Sequence, residues 1–211
     1  MRSNCPSCGK VVEKSGFMSF NYSNTNLYSD GNKQGGEDLD FASPIVSCFN
    51  CKEYFFEGDI FSVWFNSVDE SDEEINESEV GSMYAARVTD IYKLLESKNS
   101  KFIKDAFNLY KYIIQCLNQV FLSNGKLYNY QKEIYYNSID RTIEILESKE
   151  VVGKSESSKI LFLAELYRYQ EEYEKSLEIL NTINNREYRN FVTQLKEACK
   201  QKIKNCIIIN K

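Results

Sequence analysis

The stretches CPSCG, Cys5 to Gly9, and CFNC, Cys48 to Cys51, determine how the first third of the chain is read. Each sets two cysteines three positions apart, and thirty-nine residues separate Cys8 from Cys48. A C-x-x-C turn presents two thiolates from one tight knuckle. Two knuckles complete a four-sulfur tetrahedron around an ion, with zinc–sulfur distances of about 2.3 Å. Pro6 pre-sets the first bend, and Gly9 suits the sharp turn behind it. The second knuckle has neither aid, so Asn50 and Lys52 must make the same turn. The long gap is no obstacle: each doubling of a loop costs about 0.6 kcal/mol, whereas structural zinc returns about 10–16 kcal/mol in metal-folded peptides. Cys5, Cys8, Cys48 and Cys51 are therefore the candidate metal ligands. Zinc is the expected ion, and iron is the alternative that a four-sulfur shell also accepts. A redox pair of the thioredoxin kind would need a βαβ context, which the surrounding sequence does not offer.

Outward from the cysteines lie short segments rich in aromatic and β-branched residues: GFMSFNY, SPIVSC and EYFFEGDIFSVWF, separated by turn clusters such as SDGNKQGGED. They predict a small β module over residues 1–66, with the insert between the knuckles forming a hairpin that carries the chain back to the second one. Residues 69–79, DESDEEINESE, then bring seven acids and no base. Such a run repels itself into a solvated segment, so residues 67–82 are expected to be an acidic linker. Beyond it glycine almost vanishes, proline is absent, and apolar residues recur at helical spacing. Phe102, Ala106, Leu109, Ile113, Leu117 and Phe121 step by three or four after Ser100, a residue suited to an N-cap. Further helices are expected near 84–97, 129–149, 156–170, 173–184 and 187–206. Residues 83–211 thus read as an all-α domain of antiparallel helix pairs.

Composition removes several functions. The 211 residues contain no histidine, which excludes histidine triads and proton shuttles, and no G-x-x-x-x-G-K-[ST] loop cradles a phosphate. A catalytic zinc keeps one position open, usually with a histidine among its ligands; four thiolates close the shell, so a structural ion and no enzymatic activity are expected. No apolar run approaches the roughly 20 residues of a membrane span, and the N-terminus lacks the apolar core of a signal peptide. A cytoplasmic location is therefore expected. Nucleic acid is disfavoured as a partner of the β module, because residues 1–68 carry five bases against eight acids, and four thiolates with a divalent ion add two more negative charges. Residues 80–211 carry a net +5, and the tail REYRNFVTQLKEACKQKIKN holds Arg186, Arg189, Lys196, Lys200, Lys202 and Lys204. A nucleic-acid-associated factor acting through that basic terminal helix is accordingly the alternative reading. Cys116, Cys199 and Cys206 read as small buried hydrophobes, the last two seven apart on one face of the terminal helix.

Two resemblances follow from these residues. Cys5, Pro6, Cys8 and Gly9 with Cys48 and Cys51 resemble a zinc ribbon with rubredoxin-like knuckles, which implies a structural zinc or, as a second alternative, an electron carrier. The stretch SSKILFLAELYRYQEEYEKSLEILNTINNREY resembles a tetratricopeptide repeat (TPR): Ile160, Leu163, Ala164 and Tyr167 on one helix, Ser176, Leu180 and Ile183 on the next. TIEIL at 142–146 matches SLEIL at 176–180 at a spacing of 34, as a degenerate repeat before it. The resemblance implies a short, irregular TPR-like solenoid in which the small residues 164 and 176 let two helices approach closely. It also implies that Ser158, Leu161, Glu165, Arg168 and Tyr169 face a groove that grips a protein or peptide partner. The composite of zinc ribbon and TPR-like domain is similar to bacterial proteins of that design, and implies an interaction adaptor.

Overall fold

The computed structural model describes residues 2–13, 26–30, 33–34, 43–57, 59, 81–148 and 155–209. Its strands are β1 Arg2–Asn4, β2 Val11–Glu13, β3 Asn26–Tyr28, β4 Lys33–Gln34, β5 Ile45–Cys48, β6 Tyr54–Phe56, β7 Gly81–Ala85 and β8 Ile208–Ile209. Seven α-helices stand among the described residues: α1 Val88–Glu96, α2 Ser100–Ile103, α3 Ala106–Asn124, α4 Asn129–Glu147, α5 Glu156–Tyr169, α6 Tyr173–Asn181 and α7 Arg189–Lys200. The chain divides into two units that interleave in sequence. One takes Met1–Phe20 and Asp40–Leu94, the other Asn21–Leu39 and Leu95–Lys211.

The first unit is a five-stranded sheet in the order β1-β2-β7-β5-β6. Each knuckle sits at the bend of an antiparallel hairpin, the first between β1 and β2, the second between β5 and β6. β7 joins the hairpins by pairing parallel to β2 and antiparallel to β5, with Val46 opposite Ala85. The core is small and β-branched: Val12, Val46 and Phe55 pack with Cys5 and Cys48. The expected linker at 67–82 lies outside the described residues up to position 80. Where it was expected to end and a helix to begin near 84, the chain is strand through Ala85 and helix only from Val88. Sheet pairing on both sides overrides the helical spacing there.

In the second unit the expected helices are found with shifted ends. The helix foreseen after Ser100 is two: α2 closes at Ile103 and α3 opens at Ala106. The cap of α2 is Asn99, whose side chain accepts from the Lys101 amide at 3.0 Å. Gly125 ends α3 in the left-handed conformation (φ 70°) and donates to Phe121 O at 2.7 Å. α3 and α4 form one antiparallel pair and α5 and α6 another. Ala164 and Ser176 are fully buried where α5 meets α6, and Ser176 Oγ donates to Ala164 O at 2.7 Å. Leu161, Ala164, Leu180, Val192, Leu195 and Cys199 make one core with α7.

The expected hairpin that would lead into the second knuckle through SPIV is not the one found: β5 pairs with β6 and β7, whereas β3 pairs with β4 in the second unit and antiparallel with β8, Leu27 opposite Ile209. The terminal helix stops at Lys200, so Cys206 does not share its face with Cys199, although both are buried. Among the described residues no helix is long and apolar enough to cross a membrane.

Candidate metal centre

The two knuckles are built alike. Cys5 N–H donates to Lys10 O at 2.9 Å, and Gly9 N–H returns to Cys5 O at 2.8 Å; Cys48 N–H donates to Glu53 O at 3.0 Å, and Lys52 N–H returns to Cys48 O at 2.9 Å. The residue after each pair turns left-handed, Gly9 at φ 71° and Lys52 at φ 62°. Lys52 thus adopts the conformation that glycine holds without strain, and its ammonium lies 4.1 Å from the centre of the Phe49 ring.

The hairpins bring all four sulfurs within 4.8 Å of one another. Cys5 Sγ lies 3.7 Å from Cys51 Sγ, and Cys8 Sγ lies 3.9 Å from Cys48 Sγ, so each short edge joins one knuckle to the other. A tetrahedron of bonds about 2.3 Å long has edges of about 3.8 Å. Disulfides would need about 2.05 Å, and the four cysteines are free. The donor set fits a soft or borderline cation held by four thiolates. Cys5 and Cys48 are buried, Cys51 is partly covered and Cys8 is exposed. Burial pushes the Cys5 thiol up to about 12, while the backbone amide of Glu53 pulls Cys51 down to about 7. Four such groups cannot all ionise at this spacing without a cation among them, which is why thiolate clusters of this kind bind metal with release of protons. Four sulfurs at this spacing can supply all four positions of a tetrahedral shell.

Four of the five side chains expected to face a partner groove are buried. Glu165 and Arg168 are wholly buried, and Leu161 and Tyr169 nearly so; Ser158 alone of the five is partly exposed. Arg168 grips Glu165 through two bonds of 2.8 and 2.6 Å, donates to Asn205 O at 2.9 Å and to Ile203 O, and stacks on Tyr169 at 5.1 Å. A groove on α5 would need its second face left open. The segment after α7 covers that second face and supplies the carbonyls that Arg168 binds. Ser29 extends the same network, bonding the backbone of Ile207 in both directions at 2.9 and 3.0 Å. Nothing local in the sequence announces this: Ser29 and Asp30 read as turn residues, and Ile207 to Ile209 as a short apolar tail.

No protein-family profile, curated protein or solved structure matches the chain.

Proposed function

We propose that the chain is a non-enzymatic interaction protein whose β unit, a zinc ribbon in type, is held by one structural Zn²⁺, and whose TPR-like helical unit engages a protein or peptide partner. The carrying observation is the four-sulfur cluster, whose short edges match those of a tetrahedral zinc shell and which offers four ligands to one ion. Zinc is preferred to iron because one-electron transfer needs a second redox centre, and nothing in the sequence provides one. Support for partner binding moves from α5 to the turn between α3 and α4, where Leu122, Tyr128 and Tyr130 are exposed and the two tyrosines stack with centroids 6.2 Å apart. Rigid exposed aromatics are the side chains that most often anchor protein interfaces. Elemental analysis of the purified protein tests the metal: one zinc per chain is expected, lost in the Cys5→Ser, Cys48→Ser double variant. Retention of the full equivalent by that variant would remove the assignment, and a thiolate-to-iron absorption band would replace zinc by iron. Affinity capture with the wild type beside Tyr128→Ala, Tyr130→Ala tests the partner surface. An unchanged set of captured proteins would show that the aromatic turn is not the surface used, and loss of retained material with rising salt and nuclease would favour nucleic acid.

A further inference from the structure

The second unit holds a half-open cavity of about 320 Å³, bordered by Gly125 to Leu127 of the turn between α3 and α4 but not by the exposed Leu122, Tyr128 or Tyr130. At about 30 Å³ per water this is room for roughly ten waters, and it lies at the small end of ligand-binding pockets. Phe121, Leu127, Tyr135 and Tyr136 give it apolar and aromatic walls, and among the described residues no carboxylate lines it, Asp30 standing behind Asn118. Three lysines do: Lys126, Lys132 and Lys204. Lys204 is shared with Glu171 at 2.7 Å, whereas Lys126 and Lys132 form no salt bridge among the described residues.

The buried end of the lining is polar and fixed by one amide. Asn118, itself buried, accepts from the Tyr135 hydroxyl at 2.7 Å and donates to Asp30 at 2.8 Å and to the Tyr169 hydroxyl at 3.3 Å. The Tyr135 proton is therefore committed. Tyr169, only 1% exposed, accepts from Asn118, and its own hydroxyl proton meets no acceptor among the described residues. A buried donor without an acceptor is costly unless something supplied from outside completes it. Burial holds this phenol well above its ordinary range, so it keeps that proton at neutral pH.

Aromatic walls favour a flat ring, the exposed lysines favour negative charge, and the spare phenolic proton favours an acceptor atom on the ligand. We infer that this cavity binds a small aromatic anion, a molecule of one or two fused rings bearing a single carboxylate or phosphate. The ring lies between Phe121, Tyr135 and Leu127, with the anionic group toward Lys126 and Lys132. The inference does not rest on the metal, and it uses neither Tyr128 nor Tyr130, so unchanged capture by the variant of those two tyrosines leaves it standing.

Calorimetric titration of the full chain with 2-naphthoate, 2-naphthyl phosphate and 2-naphthylmethylammonium tests it. One anion per chain is expected, bound at least about tenfold more tightly than the cation on the same ring. The tighter of the two anions identifies a carboxylate or a phosphate as the natural group. Lys126→Gln with Lys132→Gln should weaken the anion by about tenfold, as loss of two partly solvated charge contacts implies. Tyr169→Phe, which leaves Asn118 its bond to Asp30, should weaken it by about fivefold with helical circular dichroism unchanged. Leu127→Trp should fill the space and abolish binding. If that variant does not fold, the lysine pair and Tyr169→Phe decide. Absence of binding by both anions up to about 1 mM, the weak end of specific recognition, would overturn the inference. Equal affinity for the cation, or affinity unaltered in the lysine and Tyr169 variants, would overturn it as well.

Discussion

Gly9 and Lys52 occupy equivalent left-handed positions behind the two knuckles, yet only one is a glycine. A non-glycine residue there costs about 1–2 kcal/mol of steric strain, partly offset at Lys52 by lower unfolded-chain entropy and by its contact with Phe49, each about 0.5–1 kcal/mol. No atom lies within 4 Å of a Cβ built on Gly9, so Gly9→Ala would suffer the backbone cost alone. It is expected to weaken metal affinity by about 1 kcal/mol while keeping one ion per chain, as competition with a chromogenic chelator would show. Arg168 gives the opposite lesson. Arg168→Ala strands the buried Glu165 carboxylate and two carbonyls, and thermal or urea unfolding should show a loss of about 3–5 kcal/mol. Replacing both Glu165 and Arg168 by methionine should recover much of it, because an uncompensated buried charge no longer remains. The clustering of the four cysteines was legible because it follows from their local spacing. The burial of Arg168 was not, since its partners include carbonyls 35 and 37 residues away.

Helices were readable because a 3.6-residue apolar repeat is a local property, and their ends followed caps such as Gly125 and Ser155, whose side chain accepts from the Ser158 amide at 3.3 Å. The close approach at Ala164 and Ser176 was equally visible, as two small residues at facing positions. β7 and β8 were not. Five and two residues long, they have no periodicity to read, and they are strands because neighbours distant in sequence pair with them. Two cysteines tie helix and tail segments of the same unit to pH. Burial raises Cys116 on α3 to about 11 and Cys206 before β8 to about 12, from an ordinary 9.0. In the unfolded chain both would ionise near 9. Their contribution is thus complete below pH 9 and is lost as pH rises through 11 to 12. Helical stability, followed by denaturant midpoints at stepped pH, should fall over that window. The Cys116→Ala, Cys206→Ala variant should have a shallower fall between pH 9 and 10, before tyrosines share the titration.

The β unit owes its small core in part to the cysteines themselves, whereas the helical unit has an apolar core of its own. Removing the metal with a chelator should therefore abolish the β unit's fold and spare most of the helical far-ultraviolet signal. Joint loss of both in one transition would show a single cooperative body. A cut at the acidic stretch would separate neither unit, because the chain passes from the first to the second, back, and again to the second. That path also sets a timetable. A ribosome adds about 5–20 residues per second, so the cysteine-bearing sheet is fully synthesised once Leu94 has been added, while β3, made earlier, waits for Ile208 and Ile209 for about 6–23 seconds more. During that interval the edge of β3 that β8 will cover lacks that neighbour, and the nascent chain is most open to capture by chaperones just before β8 is made.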